Sequence, residues 1–166
     1  VQETMGAAGP VTLTDERRAE LVRVNAEVNK AIHPMRMHES PAAEKWLISP
    51  KFGDCNDYAV TKRHDLLALG WPSRDLLLAE VVTTWGEHHL VLVVRTDKGD
   101  FVADSLHKRI RIWAETPYRW VRVEKPENPK FWATIEMPQP DLVAMAGHDS
   151  QLRSEERRVG KECRSR

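Results

Sequence analysis

Cys55 stands between a Gly53-Asp54 turn signal and the run Asp57 to Leu69 (DYAVTKRHDLLAL). Its alanine and leucine content, with Gly70 and Pro72 just beyond, predicts a helix. A thiol at a helix N-terminus meets N–H donors and the positive end of the dipole, which stabilise thiolate and can receive an oxyanion. The alternative for such a residue is an inert cysteine used as a small hydrophobe. A thiolate nucleophile needs a base, and the base needs a group to orient it. His88 and His89 open one apolar run, and Asp104 closes the next, across the hairpin signal Asp97-Lys98-Gly99-Asp100.

Strand parity chooses between the two histidines. His89 shares a face with Val91 and Val93, and His88 with Leu90 and Leu92, so one of them faces the site. A symmetric turn centred on Lys98-Gly99 sets Asp104 opposite Val93, on the face of His89. That favours His89, but leaves a gap of roughly 13 Å along an ideal strand for twist, a bulge or shear to close.

The elements that must position these groups are legible. Thr12 to Glu16 supply a helix cap and first-turn acids; Leu21, Val24, Val28, Ala31 and Ile32 follow at helical spacing until His33-Pro34. Residues 35–53 read as a loop, with a short helical turn around Ala42 to Leu47. Leu76 to Thr83, His89 to Thr96 and Phe101 to Asp104 read as strands, followed by Ile110 to Trp113, Trp120 to Val123 and Phe131 to Ile135. Helices first and an antiparallel meander afterwards predict an α+β fold.

Arg153 to Arg166 (RSEERRVGKECRSR) has no periodicity and one aliphatic residue, so it cannot bury a face. It reads as a disordered tail, vector- or adapter-derived, leaving residues 1–152 as one domain. The whole chain carries 25 basic and 25 acidic residues. Without the tail's six basic and three acidic residues, 19 basic face 22 acidic, a charge of −3. No basic excess points to nucleic acid, and no apolar run reaches the ~20 residues of a membrane helix. Val1 opens no charged and apolar leader, so a signal peptide is expected to be absent or removed. Setting aside Cys163 leaves Cys55 as the domain's one thiol, with no disulfide partner.

Three blocks, GDCNDYAVTKR at Gly53–Arg63, HLVLVVRT at His89–Thr96 and VADSL at Val102–Leu106, resemble the bacterial transglutaminase-like cysteine peptidases in order and spacing. The resemblance runs from about Val24 to Trp132. It implies a papain-like, transglutaminase-like core, helices packed on an antiparallel sheet, and a Cys–His–Asp triad carried onto Cys55, His89 and Asp104. It also implies export in a bacterium, to the periplasm, and a protein substrate such as a large surface adhesin. Adhesin-cleaving members place acids on both sides of the nucleophile and bind calcium there. This chain keeps Asp54, a candidate calcium ligand, but has Asn56 on the other side, which offers a carbonyl and no charge. A second departure is Ala103-Asp104-Ser105, where the family more often has Leu-Asp-Asn.

The expected function is hydrolysis of peptide bonds, with no cofactor required. Its rivals are acyl transfer to an amine and a catalytically silent peptide-binding module. Trp46 is a candidate oxyanion donor, though a Trp packed beneath the loop is the simpler reading. Lys62-Arg63 read as a solvated helix face, and Trp85-Gly86-Glu87 as a loop over the cleft. Cys55, His64, His88 and His89 match no standard zinc spacing.

Overall fold

Residues 9–35 and 46–135 are described by a computed structural model. The tail 153–166 and most of the turn expected near Ala42 lie outside them; Trp46 and Leu47 are non-helical.

Helix α1, Asp15–Ala31, starts where the Thr14 hydroxyl accepts from the Arg17 N–H, and buries Leu21, Val24, Asn25 and Val28. Two short strands, β1 (His33–Pro34) and β2 (Phe52–Gly53), pair in parallel and lead into helix α2, Cys55–Ala68. After a 3-10 turn at Ser73–Asp75 come β3 (Leu76–Val82), β4 (His88–Thr96), β5 (Gly99–Asp104), β6 (His107–Ile112), β7 (Arg119–Lys125) and β8 (Asn128–Thr134). All six join one antiparallel sheet in the order β6-β5-β4-β3-β7-β8. The chain is therefore α+β, as its pattern predicts. β6 begins three residues earlier than expected and lies at an edge, where its alternating charges discourage further pairing.

The central strands are buried on both faces, hence their near-continuous apolar runs. Leu76, Leu78, Leu90, Leu92 and Val94 pack with Leu21, Val28, Leu66 and Trp71 on the helix side. Leu77, Ala79, Val81, Val91, Val93 and Val102 pack with Tyr118 and Trp120 on the other.

The hairpin register departs from expectation. Thr96 pairs with Gly99 and Leu92 with Ala103, so the loop is Asp97-Lys98 rather than Lys98-Gly99. The Thr96 hydroxyl donates to the Gly99 carbonyl at 2.7 Å and accepts from the Lys98 N–H at 3.2 Å, while Gly99 takes φ +117°. Asp97 is also held from outside the hairpin: its carboxylate accepts from the Leu13 N–H at 2.8 Å. Continued by one pair, this register sets Asp104 opposite Val91, two residues closer to His89 than the symmetric turn would. The face is unchanged, and the offset shrinks to about 7 Å, the reach of a diagonal cross-strand pair.

Candidate active site

The local sequence fixes the α2 N-terminus in detail. Asp54 is the N-cap, and its Oδ1 accepts from the N–H groups of Asn56 (2.9 Å) and Asp57 (3.2 Å). Asp57 closes the capping box by accepting the Asp54 N–H at 3.0 Å. Its other oxygen accepts from the Leu47 N–H at 2.7 Å, tying the incoming loop to the helix. Burial is the main cause that pushes the Asp57 carboxyl above its usual range. A Cβ on Gly53 would stand 2.6 Å from Asp57 Oδ2, so glycine is what lets this box form. Cys55 occupies the first position of the helix; it is 7% exposed and in no disulfide among the described residues. Its Sγ lies 4.0 Å from Asn56 Oδ1.

On β4 the two histidines part. His88 points to solvent and bonds Glu80 Oε1 at 2.7 Å, with Arg122 on the other Glu80 oxygen. Burial works against ionisation of Glu80, but Arg122 and His88 together hold its carboxyl below the usual range. His89 is 3% exposed, and its Nε2 lies 2.7 Å from Asp104 Oδ1. It also hydrogen-bonds the Cys55 side chain. Burial alone would push His89 down; Asp104, through charge and hydrogen bond, and then Cys55 outweigh it and lift the imidazole to about 10.

Asp104 is 1% exposed, and both its oxygens have donors. Oδ1 takes the His89 ring and the Leu106 N–H (2.9 Å), and Oδ2 takes the Tyr118 hydroxyl (2.6 Å). Burial opposes its charge, yet His89, His107 and Tyr118 together hold the carboxyl well below the usual range. The turn carrying Asp104 is fastened to α1. Asn29 Nδ2 donates to the carbonyls of Asp104 (3.0 Å) and His107 (3.4 Å), and Asn25 Nδ2 to those of His107 (3.2 Å) and Lys108 (3.1 Å).

Of the sequence candidates, the structure brings Cys55, His89 and Asp104 into one hydrogen-bonded chain. Trp46 is 46% exposed rather than packed under its loop. Lys62 departs from the solvated face expected of it: the residue is fully buried, its ammonium 6.0 Å from the Tyr58 ring, while Arg63 donates to the Leu76 carbonyl. Trp85, expected over the cleft, packs against the core cluster that contains Cys55. The sequence reading missed Tyr118, Asn25 and Asn29. The signal was there in kind, since a buried phenol or amide must find partners. Those partners lie on elements that only folding brings together.

A calcium site does not fit the donors around Cys55. One Asp54 oxygen is spent as the helix cap, both Asp57 oxygens accept backbone N–H groups, and Asn56 is neutral. Ca²⁺ asks for six to eight oxygens with carboxylates prominent among them. Among the described residues no group of three or more His, Cys, Asp or Glu converges on a metal position, and no helix is long and apolar enough to cross a membrane.

The family model described as bacterial transglutaminase-like cysteine proteinase BTLCP matches residues 2–140. Solved structures of Legionella pneumophila LapG share the fold. The calcium-bound form has TM-score 0.56 at 21% identity, covering 79% of each chain. The EGTA-treated form has TM-score 0.57 at 23% identity, covering 72% of this chain and 68% of LapG. A third LapG structure has TM-score 0.58 at 21% identity, covering 81% and 76% respectively. No curated protein matches this chain.

Proposed function

The chain belongs to the bacterial transglutaminase-like cysteine proteinases, and on that premise we propose that it hydrolyses peptide bonds of a protein substrate through Cys55, His89 and Asp104. The observation that carries the reading is the buried 2.7 Å contact between His89 Nε2 and Asp104 Oδ1, with the Cys55 thiol bonded to the same imidazole. Because Nε2 is committed to Asp104, Nδ1 is the nitrogen that exchanges a proton with Cys55.

In this mechanism Cys55 gives its proton to His89, and the thiolate attacks the substrate carbonyl carbon. The resulting oxyanion is met by the Cys55 N–H at the helix N-terminus, since Asp54 occupies the next two N–H groups. His89 then protonates the leaving amine as the C–N bond breaks, which leaves a thioester on Cys55. Water loses a proton to His89 and attacks the thioester; the C–S bond breaks and the thiol is restored. Asp104 stays ionised throughout, supports the imidazolium and fixes its orientation. No step uses calcium.

The family resemblance extends the proposal to substrate and compartment: a bacterial surface adhesin cut in the periplasm. The family match over residues 2–140 falls within 1–152, which we read as the working domain; the composition of 153–166 is what reads as an appended tail.

Alkylation by iodoacetamide tests the nucleophile, in a Cys163→Ser background so that Cys55 is the single thiol. At pH 6 the wild type should react about 300-fold faster than His89→Ala, the ratio between a formed thiolate and a thiol of ordinary pKa near 8.5. Equal rates refute the triad. An added amine that enters the product faster than water would replace hydrolysis by acyl transfer.

A further inference from the structure

We propose that Tyr118 is a positioning residue for the His89–Asp104 pair; this rests on the triad reading above. Tyr118 is 4% exposed and lies just before β7, fourteen residues from Asp104. Its hydroxyl donates to Asp104 Oδ2 at 2.6 Å. Its ring meets the His89 imidazole edge-on, with centroids 5.7 Å apart at 63°, and the His107 ring at 6.4 Å.

The carboxylate has two chemically equal oxygens, so its contact with His89 alone would leave it able to turn. Tyr118 on Oδ2 and the Leu106 N–H on Oδ1 assign each oxygen a place. The imidazolium therefore meets a fixed counter-charge. The same ring lies against the imidazole, limiting its tilt. One side chain thus holds both members of the pair.

Removing the hydroxyl leaves Oδ2 bare in a site closed to solvent, and the carboxylate turns to share its charge or admits water. Either movement weakens the fixed partner of His89. The titratable groups facing His89 are Asp104 on β5, Cys55 on α2 and His107 on β6, with Tyr118 beside them. Tyr118→Phe removes none of the first three groups, so the imidazole reports on the hydroxyl.

The experiment is Tyr118→Phe in the Cys163→Ser background, with the His89 titration followed by NMR of 15N-labelled imidazole. The midpoint should move by about one unit, tenfold in the proton equilibrium, because the carboxylate that sets it has lost the donor on Oδ2. Trp120→Phe, in the same apolar cluster, should lower the melting temperature and leave the midpoint alone. A Tyr118→Phe midpoint that stays where it is overturns the proposal. The wild type gives a reading that needs no variant: the Tyr118 hydroxyl proton should appear as a slowly exchanging downfield resonance with a cross-peak to the His89 ring, and its absence also overturns the proposal. Failure of the triad reading looks different: wild-type Cys55 then reacts no faster than a model thiol, whatever the His89 midpoint does.

Discussion

Asp104 Oδ1 and His89 Nε2 lie 2.7 Å apart with both side chains 2% exposed, a charge-assisted contact closed to water. Asp104→Asn keeps the shape and removes the charge that supports the imidazolium. It also offers an amide N–H where the imidazole needs an acceptor. Peptide hydrolysis should fall about 10⁴-fold in kcat, by the precedent of the same exchange in a serine protease triad. A fall of less than tenfold in a steady-state assay would remove Asp104 from the mechanism.

The same pair makes stability depend on pH. His89 is raised from its ordinary 6.5 to about 10, so its contribution is complete below 6.5 and is lost as pH rises toward about 10. Asp104 is lowered from its ordinary 3.8, so its contribution is present above that value and is lost as pH falls through the folded-state value below it. The pair therefore contributes most between 3.8 and 6.5. Asp57 and Asp75, both raised chiefly by burial, oppose it on the alkaline side of 3.8. Melting temperatures of the wild type and of a His89→Ala/Asp104→Ala variant, taken across this range, should differ most inside the window, and the difference should shrink as pH approaches 10.

Gly53→Ala tests the capping box. The added methyl would lie 2.6 Å from Asp57 Oδ2 and 2.8 Å from its Cβ, too close for either to stay. Moving Asp57 frees the Asp54 N–H and the Leu47 N–H together. A destabilisation of about 1–2 kcal/mol, the scale of a lost cap, is expected in denaturant titration, with slower Cys55 alkylation beside it. An unchanged midpoint would show that the box is dispensable.

Asn29→Ala removes the amide that holds the Asp104 carbonyl at 3.0 Å and the His107 carbonyl at 3.4 Å. The loss should be about 1 kcal/mol. Because the turn carries Asp104, hydrolysis should drop more than stability alone explains. Wild-type activity in the fully folded variant would show that α1 does not position the turn.

Calcium should leave the protein unmoved. Asn56 is neutral, one Asp54 oxygen caps the helix, and the two Asp57 oxygens hold the Asp54 and Leu47 N–H groups. Melting temperature and Cys55 alkylation are expected to coincide in EGTA and in millimolar calcium. A rise in melting temperature with calcium would show that donors beyond these residues complete a site.

What the sequence determined by itself was local. Thr14, Asp54, Asp57 and Gly53 specify helix starts through contacts within a few residues of one another. The alternation along His88–Thr96 set His89 apart from His88, and an error in the turn left that choice intact. Moving the loop from Lys98-Gly99 to Asp97-Lys98 shifts the register by two, and a strand's side chains repeat every two residues, so Asp104 kept its face. Tertiary structure decided the distance. Asp97 is pinned to Leu13, Thr96 closes the loop, and Asp104 comes within 2.7 Å of His89 instead of lying a strand's length away. It also decided the partners, Tyr118 from the approach to β7 and Asn29 from α1, 14 and 75 residues from Asp104. Periodicity carries which way a side chain faces, because that is set by the backbone around it. It carries nothing about which distant donor will satisfy a buried oxygen, because that depends on elements whose approach only the packed core fixes.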